Sequence, residues 1–334
     1  MKRILYFVPV LLLLLSVSGC GETAQNQGVT RTSYMLDTVI NITLYGGEEA
    51  NNEELLTQTM EEINRLENLL SVERAGSDLD RLAKAAGLDW VEISPECEEV
   101  LTKAKEYWTL SGGYFDVTTG PLIDLWNIRD GTGHYPTEEE LSNTMPLVSS
   151  EWLLVEDGRA FLTHQGMKAN LGAIAKGYIA DKVKEFLLER GVEHAIIDLG
   201  RNILLINGRP DGTNFRIGVQ DPFDTEGSAR YVLSATGKSV VTAGVYERYF
   251  MYEGVRYHHI MDPFTGFPAN RGLASVTIVS DNSAQGDALT TTCLLLGPED
   301  GLALVESIPG VEGLFIGEDG EEWFSSGFEA YLAE

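Results

Sequence analysis

Residues 170–191 read NLGAIAKGYIADKVKEFLLERG and combine an early pair of glycines with a long amphipathic pattern. The apolar residues of this pattern recur at helical spacing and form one stripe: Ile174, Ile179, Val183, Phe186 and Leu187. The stripe predicts a helix from Leu171 to Arg190, and Gly191 is the residue expected to end it.

The segments on either side of this helix mix strand and helix patterns without a βαβ rhythm. Ser33–Tyr45 is rich in β-branched and aromatic residues and predicts a strand, whereas Asn52–Leu70 and Ala284–Leu296 predict helices. Ser94 and Pro95 predict the start of another helix that runs to about Leu110. The other predicted elements are a hairpin over Glu151–Thr163 that turns at Asp157-Gly158, several strands between His194 and His259, and a strand at Leu273–Ser280. We therefore expect an α+β fold, a single unit with mostly antiparallel strands and packed helices.

The composition excludes several classes of protein. The chain has 334 residues, 43% of them hydrophobic, which excludes wholesale disorder, collagen and coiled coils. Asp and Glu number 51 against 24 Lys and Arg, a net charge of −27. Because a phosphate backbone requires a basic surface, a nucleic-acid partner is excluded as well.

The N-terminus has the pattern of a bacterial lipoprotein signal. Lys2 and Arg3 precede an apolar run from Ile4 to Leu15, which is too short to span a membrane. Small residues then lead to Cys20, which predicts cleavage before this cysteine and attachment of a lipid to it. An ordinary signal peptide with a stray cysteine is the alternative.

The predicted organisation is therefore a signal peptide at 1–19, a flexible polar tether at 20–31 and one folded domain at 32–334. We expect the domain to be anchored by its lipid to a bacterial membrane, facing the periplasm or the cell exterior. Cys97 and Cys293 are predicted to be buried thiols rather than a disulfide.

Three clusters of residues could carry chemistry. Glycines at the start of the 170–191 helix expose backbone N–H groups beside Lys176, which suits an anionic ligand, although helix capping is the favoured explanation of this motif taken alone. Asp287 and Thr291 share one helical face and offer oxygen atoms of the kind that Mg²⁺ binds, although a cap and a core threonine are the simpler interpretation. His258 and His259 point to opposite sides of an extended segment, so one of them at most faces a site.

The order of these motifs resembles the ApbE family, the FAD:protein FMN transferases. The matching segments run from about Met35 to Gly297: Met35-Leu36-Asp37-Thr38, Gly113 to Asp116 with Gly120-Pro121-Leu122 and Leu125-Trp126, Leu171 to Asp181, Asp198-Leu199-Gly200 with Asn202, Thr242 to Arg248, His259 to Pro268, and Asp287 to Thr291. Seven segments in this order make the resemblance specific.

The resemblance implies a Mg²⁺-dependent enzyme that takes FAD, attaches its FMN half to a Thr or Ser hydroxyl of an acceptor flavoprotein, and releases AMP. It implies that the acceptor is often a membrane electron-transfer subunit. By position in the motifs, it assigns His259 as the catalytic residue and Ala173, Asp287 and Thr291 as metal ligands. It assigns the FAD contacts to Met35, Tyr114, Phe115, Asp116, Asn170, Lys176 and Ile260.

Three residues depart from the family pattern. Asn170 replaces an aspartate, Arg201 replaces the second glycine of a Gly-Gly-Asn motif, and Ala243 replaces a serine. Because arginine lacks the freedom of glycine at positive φ, the loop at Arg201 is expected to differ. The loss of a hydroxyl at Ala243 is expected to change hydrogen bonds to the ligand.

Two other functions remain open at this point. With water in place of the acceptor hydroxyl, the same site would be a pyrophosphatase that splits FAD to FMN and AMP. A lipoprotein that binds and stores FAD without catalysis is the second.

Overall fold

The computed structural model describes residues 27–129, 131–224 and 227–333. The helices of this part of the chain are α1 (Glu49–Leu70), α2 (Asp78–Lys84), α3 (Pro95–Leu110), α4 (Gly120–Trp126), α5 (Glu138–Thr144), α6 (Ala175–Leu188), α7 (Ser283–Leu296) and α8 (Pro298–Glu306). Its strands are β1 (Val29–Met35), β2 (Thr38–Tyr45), β3 (Val91–Glu92), β4 (Leu153–Glu156), β5 (Arg159–Leu162), β6 (His194–Asp198), β7 (Asn202–Ile206), β8 (Phe215–Gln220), β9 (Ala229–Ala235), β10 (Ser239–Gly244), β11 (Tyr249–Tyr252), β12 (Val255–His258), β13 (Leu273–Ser280), β14 (Glu312–Gly317) and β15 (Glu322–Phe324).

An eight-stranded sheet in the order β1-β2-β6-β7-β10-β13-β14-β15 organises the molecule. Smaller sheets pair β3-β5-β4, β8-β9 and β11-β12. In the described residues every neighbouring pair of strands runs antiparallel. The predicted α+β fold is confirmed, with helices and antiparallel strands in one unit.

The large sheet is covered on both faces. Helices α1, α3 and α6 pack their apolar residues on β2 and β6, and α7 and α8 continue this helical layer over β13 and β14. The opposite face is covered by the β8-β9 hairpin, whose Phe215, Ile217 and Leu233 meet Leu205 and Leu314 of the sheet. All eight residues of the central strand β13 are buried, as expected for a strand enclosed between two layers.

The predicted strand at Ser33–Tyr45 is in fact a hairpin. Leu36 and Asp37 have φ of 55° and 57°, so they form a two-residue turn that joins β1 to β2. Leucine rarely adopts this conformation, and no Asn-Gly or Asp-Gly pair marks the turn in the sequence. The sequence therefore shows a strand pattern but does not indicate that the chain reverses direction at Leu36 and Asp37.

The folded domain also begins earlier than predicted. β1 starts at Val29, so residues 29–31, assigned to the tether, belong to the sheet. Their sequence does not indicate a strand because Thr30 and Arg31 are polar. In the sheet, Thr30 pairs with Thr43 across the strands, and Arg31 forms an ion pair of 2.7 Å with Glu53. The predicted signal peptide and Cys20 lie outside the described residues.

Most of the other predicted elements are confirmed. The helix of residues 95–110 is capped by Ser94, and the 151–163 hairpin turns at Asp157-Gly158. The helix predicted from Leu171 begins instead at Ala175, because residues 171–174 form a turn. Cys97 and Cys293 are both buried free thiols. Within the described residues, no helix is long and apolar enough to cross a membrane.

Helices α6 and α7 cross in very close contact, and glycine makes this possible. A Cβ atom added to Gly177 would lie 2.2 Å from the carbonyl oxygen of Ser283 and 2.7 Å from Cα of Ala284. The crossing is tied by Asp181, whose carboxylate accepts the N–H groups of Ser283 and Ala284 at 2.9 Å each. One acidic side chain of α6 thus satisfies the exposed donors at the start of α7.

We predict that Asp181→Ala lowers the free energy of unfolding by roughly 2–4 kcal/mol, because two N–H groups at the start of α7 lose their acceptor in a buried position. Burial raises the pKa of Asp181 from 3.8 to about 6, against the two N–H bonds that lower it. A raised carboxyl pKa contributes stability that is complete at low pH and is lost as the pH rises through about 6. The difference in free energy of unfolding between the wild type and Asp181→Ala, measured by urea denaturation, should therefore become smaller as the pH rises from about 4 to about 6.

The matched control is Glu185→Ala, an exposed carboxylate on the same helix whose ion pair in the described part of the chain is with Lys182. It should change stability by less than about 0.5 kcal/mol. Equal stabilities of the two variants would contradict the role of Asp181.

Candidate functional site

A cavity of about 1390 Å³ opens where the tip of the β1-β2 hairpin, the start of α6, one face of α7 and the segment after β10 meet. Its volume exceeds that of most pockets for drug-sized ligands, so it suits a large ligand. The structure brings the predicted site residues together on its wall with one exception; those that line it are Tyr114, Phe115, Asp116, Asn170, Ala173, Lys176, His259, Ile260, Asp287 and Thr291.

Met35 is the exception. It is the last residue of β1 and is partly buried against the apolar core. The three residues that follow it, Leu36, Asp37 and Thr38, line the cavity instead. The Met35-Leu36-Asp37-Thr38 motif therefore reaches the cavity through its last three residues and not through Met35.

Asp287 connects α7 to the start of α6. Its side chain is 6% exposed, and its Oδ2 accepts the N–H of Gly177 at 2.9 Å. Gly177 is the third residue of α6, so its N–H is one of the first-turn donors that have no acceptor within the helix. The carbonyl of Ala173, in the turn that precedes α6, accepts no backbone hydrogen bond among the described residues.

Thr291 lies one turn further along α7 and lines the same cavity. Its neighbours Thr290 and Thr292 donate their hydroxyls to helix carbonyls at 2.8 Å. The Thr291 hydroxyl makes no such bond within the described residues, so it is available to a ligand. α7 therefore turns one of three consecutive threonines toward the cavity.

These oxygens fit a hard cation such as Mg²⁺. A carboxylate, a hydroxyl and a backbone carbonyl are the donor types that this ion binds. No group of three His, Cys, Asp or Glu side chains that could hold a metal occurs in residues 27–129, 131–224 or 227–333. A cation here would therefore rest on one protein carboxylate and neutral oxygens, and would keep positions open for other ligands.

The charge of Asp287 is unfavourable without a counter-ion. Burial raises the pKa of Asp287, while the ammonium of Lys176 and the N–H of Gly177 lower it. Lys176 forms no ion pair within 4 Å in the described residues. A cation bound by Asp287 would stabilise the buried negative charge further.

His258 is a structural residue. It is 5% exposed, its Nε2 donates to the carbonyl of Ala269 at 2.7 Å, and its Nδ1 accepts the N–H of Ile260 at 3.3 Å. Both ring nitrogens are therefore occupied. Burial lowers the pKa of His258 to about 4, so the ring stays neutral.

His259 points to the opposite side, as predicted, and lines the cavity. The carbonyl of Arg248 accepts its backbone N–H at 3.1 Å and its Nδ1–H at 3.3 Å. Since a carbonyl only accepts, Nδ1 carries the proton and Nε2 is the basic nitrogen of the neutral ring. Burial lowers the pKa of His259 and the nearby Glu247 raises it, so the ring is neutral and able to accept a proton.

The turn after His259 is rigid. Asp262 accepts the N–H of Phe264 at 2.9 Å and the guanidinium of Arg271 at 3.1 Å. The indole of Trp126 donates to the carbonyl of Gly266 at 2.7 Å. A Cβ at Gly266 would lie 2.6 Å from the sulfur of Met145, so glycine is required there. This anchoring holds Ile260 in the cavity wall.

The three residues of the 114–116 segment lie in different environments. The Tyr114 ring is partly exposed in the cavity and packs edge-on against Phe264 at 4.9 Å. Phe115 is buried in the core at 1% exposure. Asp116 accepts hydrogen bonds from Thr118 and from the N–H and hydroxyl of Ser150. Its carboxylate is therefore engaged in shaping the loop.

The three departures from the family pattern are each accommodated. Asn170 Oδ1 accepts the N–H of Gly172 at 2.8 Å, so the amide closes the turn before α6. Ala243 packs against the apolar cluster of α7, β13 and Ile260 while also lining the cavity. Arg201 keeps a positive φ of 67° and forms a 2.7 Å ion pair with Glu247.

The structure adds residues that the sequence did not single out. In the described chain, Asn202 Nδ2 and the Tyr246 hydroxyl are buried without a hydrogen-bond partner, and both residues line the cavity. Such groups are costly unless a ligand or water satisfies them. Both lie in quoted motifs, but only the fold shows that their polar atoms lack protein partners.

Comparison with known proteins identifies relatives over most of the chain. A model described as the ApbE family matches residues 36–315. An FAD:protein FMN transferase of Treponema pallidum (strain Nichols) is 32% identical over 323 residues, which covers 92% of this chain and 89% of that protein. One from Klebsiella pneumoniae (strain 342) is 33% identical over 88% of this chain and 90% of its own length.

Solved structures of similar sequence share the fold. The ApbE protein of Thermotoga maritima superposes with a TM-score of 0.83 at 29% identity, covering 92% of this chain and 100% of that chain. The flavin transferase ApbE of Vibrio cholerae gives a TM-score of 0.82 at 28% identity, covering 92% and 99%.

We predict that the His258 imidazole titrates near pH 4 in an NMR titration, because protonation would break its bond from Ile260 N–H in a buried site. The unfolded chain binds this proton near pH 6.5, so the folded state loses stability as the pH falls from 6.5 to about 4. The loss amounts to roughly 3 kcal/mol. His258→Gln should remove the signal and flatten this acid dependence, and titration of His258 near pH 6.5 would contradict the assignment.

Proposed function

The chain belongs to the ApbE family and is an FAD:protein FMN transferase, and we propose that it uses Mg²⁺, links FMN through a phosphoester to a Thr or Ser hydroxyl of an acceptor flavoprotein, and releases AMP. One observation carries this proposal. A single cavity joins a carboxylate, a hydroxyl and a carbonyl oxygen, an ammonium that forms no ion pair within the described residues, and a neutral imidazole whose Nε2 is available.

The charge distribution favours a diphosphate in this cavity. The protein carries a net charge of −27 and would repel an anion in general. Lys176 is the local exception, since its ammonium has no carboxylate partner within 4 Å in the part of the chain described. It would attract the phosphates of FAD, and the unsatisfied Tyr246 hydroxyl and Asn202 amide would donate hydrogen bonds to the same ligand.

Asp287, Thr291 and the carbonyl of Ala173 would hold the metal. When bound, Mg²⁺ would neutralise charge on the diphosphate oxygens. The protein's own contribution is to hold these three oxygens on α7 and on the turn that precedes α6, beside the helix crossing at Gly177. The predicted FAD contacts on the cavity wall, Tyr114 and Ile260 among them, would orient the flavin half.

His259 would act as the general base. Its Nε2 takes the proton of the acceptor hydroxyl as the hydroxyl oxygen attacks the phosphorus of the FMN half. The bond between that phosphorus and the bridging oxygen breaks, and the bridging oxygen leaves with AMP. The products are the phosphoester, AMP and one proton, which His259 passes on to solvent.

The acceptor protein and the cellular location are part of the proposal. The lipoprotein signal of residues 1–20 supports an enzyme anchored through Cys20 to a bacterial membrane, on its periplasmic or outer side. Acceptors within reach of such an anchor would be membrane electron-transfer subunits or exported flavoproteins.

The test is incubation of the full chain with FAD, Mg²⁺ and a candidate acceptor, followed by in-gel flavin fluorescence and quantification of AMP. We predict one AMP for each FMN attached, and loss of at least about 100-fold in rate for Asp287→Ala and Asp287→Asn. Asp287→Asn keeps an oxygen acceptor for Gly177 N–H and so preserves the helix crossing. Asp281→Ala, an exposed carboxylate at the start of the same helix, is the control.

The products distinguish the alternatives. AMP and free FMN in equal amounts, with or without acceptor, would identify a pyrophosphatase. Tight FAD binding without AMP would identify a storage protein. Full activity of a folded Asp287→Asn enzyme, or transfer that persists in excess chelator, would contradict the metal site.

We predict that His259→Ala loses about 10²–10⁴-fold in the rate of FMN transfer while it retains most of its affinity for FAD, because a general base acts on the acceptor hydroxyl and not on the bound flavin. The measurement is the transfer rate at saturating FAD beside the FAD dissociation constant. His258→Gln is the matched control and should be the faster enzyme. A larger loss for His258→Gln, or failure of His259→Ala to bind FAD, would remove the role of His259.

A further inference from the structure

Arg201 has a backbone conformation that arginine rarely adopts. Its φ is 67°, and it follows Gly200, whose φ is 74°. A Cβ atom is disfavoured in this left-handed region, so a residue other than glycine persists there only when its surroundings hold it. Since strain of this kind clusters at functional sites and Arg201 lines the cavity, its side chain requires an explanation.

The side chain of Arg201 reaches across to the segment after β10. Its Nη1 donates to Oε1 of Glu247 at 2.7 Å, and its guanidinium carbon lies 5.4 Å from the centre of the Tyr246 ring. Its carbonyl accepts the N–H of Thr242 at 3.1 Å. Arg201 thus holds both ends of the segment 242–247 against the start of β7.

The residue that follows this segment sets the orientation of His259. The carbonyl of Arg248 accepts both the backbone N–H and the Nδ1–H of His259. A displacement of Glu247 would move the adjacent carbonyl and so the imidazole. The chain of contacts therefore runs from Arg201 through Glu247 and Arg248 to the basic nitrogen.

We propose that Arg201 is a positioning residue for His259, holding the Tyr246-Glu247-Arg248 segment in place and neutralising the carboxylate of Glu247 beside the imidazole. The proposal rests on the function assigned above to His259.

The charges around His259 determine its protonation state. Burial and the positive charges of Arg248 and Lys176 lower the pKa of His259, while Glu247 raises it. The adjacent His258 is neutral. An unpaired Glu247 would exert a stronger pull on a proton at the imidazole. The guanidinium of Arg201 reduces this pull and helps to keep the ring unprotonated.

The experiment compares Arg201→Gly, Glu247→Gln and the double variant by two measurements. An NMR titration without FAD reports the pKa of His259, and the rate of FMN transfer against pH reports its consequence. Glycine accepts the backbone conformation, so Arg201→Gly is expected to fold. The control is Asp157→Gly, which relieves a φ of 50° at the β4-β5 turn outside the cavity.

Arg201→Gly is expected to raise the pKa of His259 by about 0.5–1 unit and to move the acid limb of the rate profile upward by the same amount. Glu247→Gln should lower both the pKa of His259 and the pH of the acid limb. In the double variant both values should lie closer to those of the wild type. Asp157→Gly should move neither. The KM for FAD should change less than kcat in Arg201→Gly.

An Arg201→Gly enzyme whose rate falls equally at every pH, with an unchanged titration of His259, would overturn the proposal and leave Arg201 a structural residue. A double variant that keeps the upward shift of Arg201→Gly would overturn it too, because that shift requires the carboxylate of Glu247. If the titration shifts as expected but no variant, including the wild type, transfers FMN, the positioning role stands and the proposed function fails.

Discussion

The absence of a side chain at Gly177 is the constraint on which the site depends. Helix α6 passes so close to the first turn of α7 that a single methyl group would collide with the Ser283 carbonyl. At this distance the N–H of Gly177, a first-turn donor without an acceptor in its own helix, donates to Asp287. One close contact therefore brings the first turn of α6 within hydrogen-bonding distance of the buried carboxylate.

The antiparallel sheet supports this crossing and brings distant segments to it. The turns and strand ends around β6, β7 and β10 place Gly200, Asn202 and Ala243 beside the α6-α7 crossing, although they are far apart in the sequence. The turn at 262–271 is anchored separately by Trp126 and Arg271. The cavity is thus lined by Asp287 and Thr291 from α7 and by the imidazole of His259 from the segment before this turn.

The sequence predicted the elements better than the contacts. Ser94 with Pro95 and Asp157 with Gly158 mark a helix start and a turn by their own chemistry, and both are confirmed. The turn at Leu36-Asp37 carries no such mark, because its positive φ angles are imposed by pairing of the two strands rather than by residue type. The resemblance assigns Met35 to the site, whereas the turn places Leu36, Asp37 and Thr38 on the cavity wall.

The unsatisfied polar atoms could not be predicted, since burial and the lack of a partner are properties of the assembled fold. Tyr246 and Asn202 are ordinary residues in the sequence, and only packing removes water and partners from them. The departures Asn170, Arg201 and Ala243 also have local explanations that appear only in three dimensions. Asn170 keeps the turn closed with an amide oxygen where an aspartate is usual.

The neutral state of His259 links these features. In a protein with more than twice as many acidic as basic residues, a histidine would ordinarily gain a proton more readily. Burial is the main cause that lowers the pKa of His259, and the positive charges of Arg248 and Lys176 act in the same direction. Glu247, whose charge raises that pKa, is paired with Arg201. The acidic surface and a basic, unprotonated imidazole are therefore compatible.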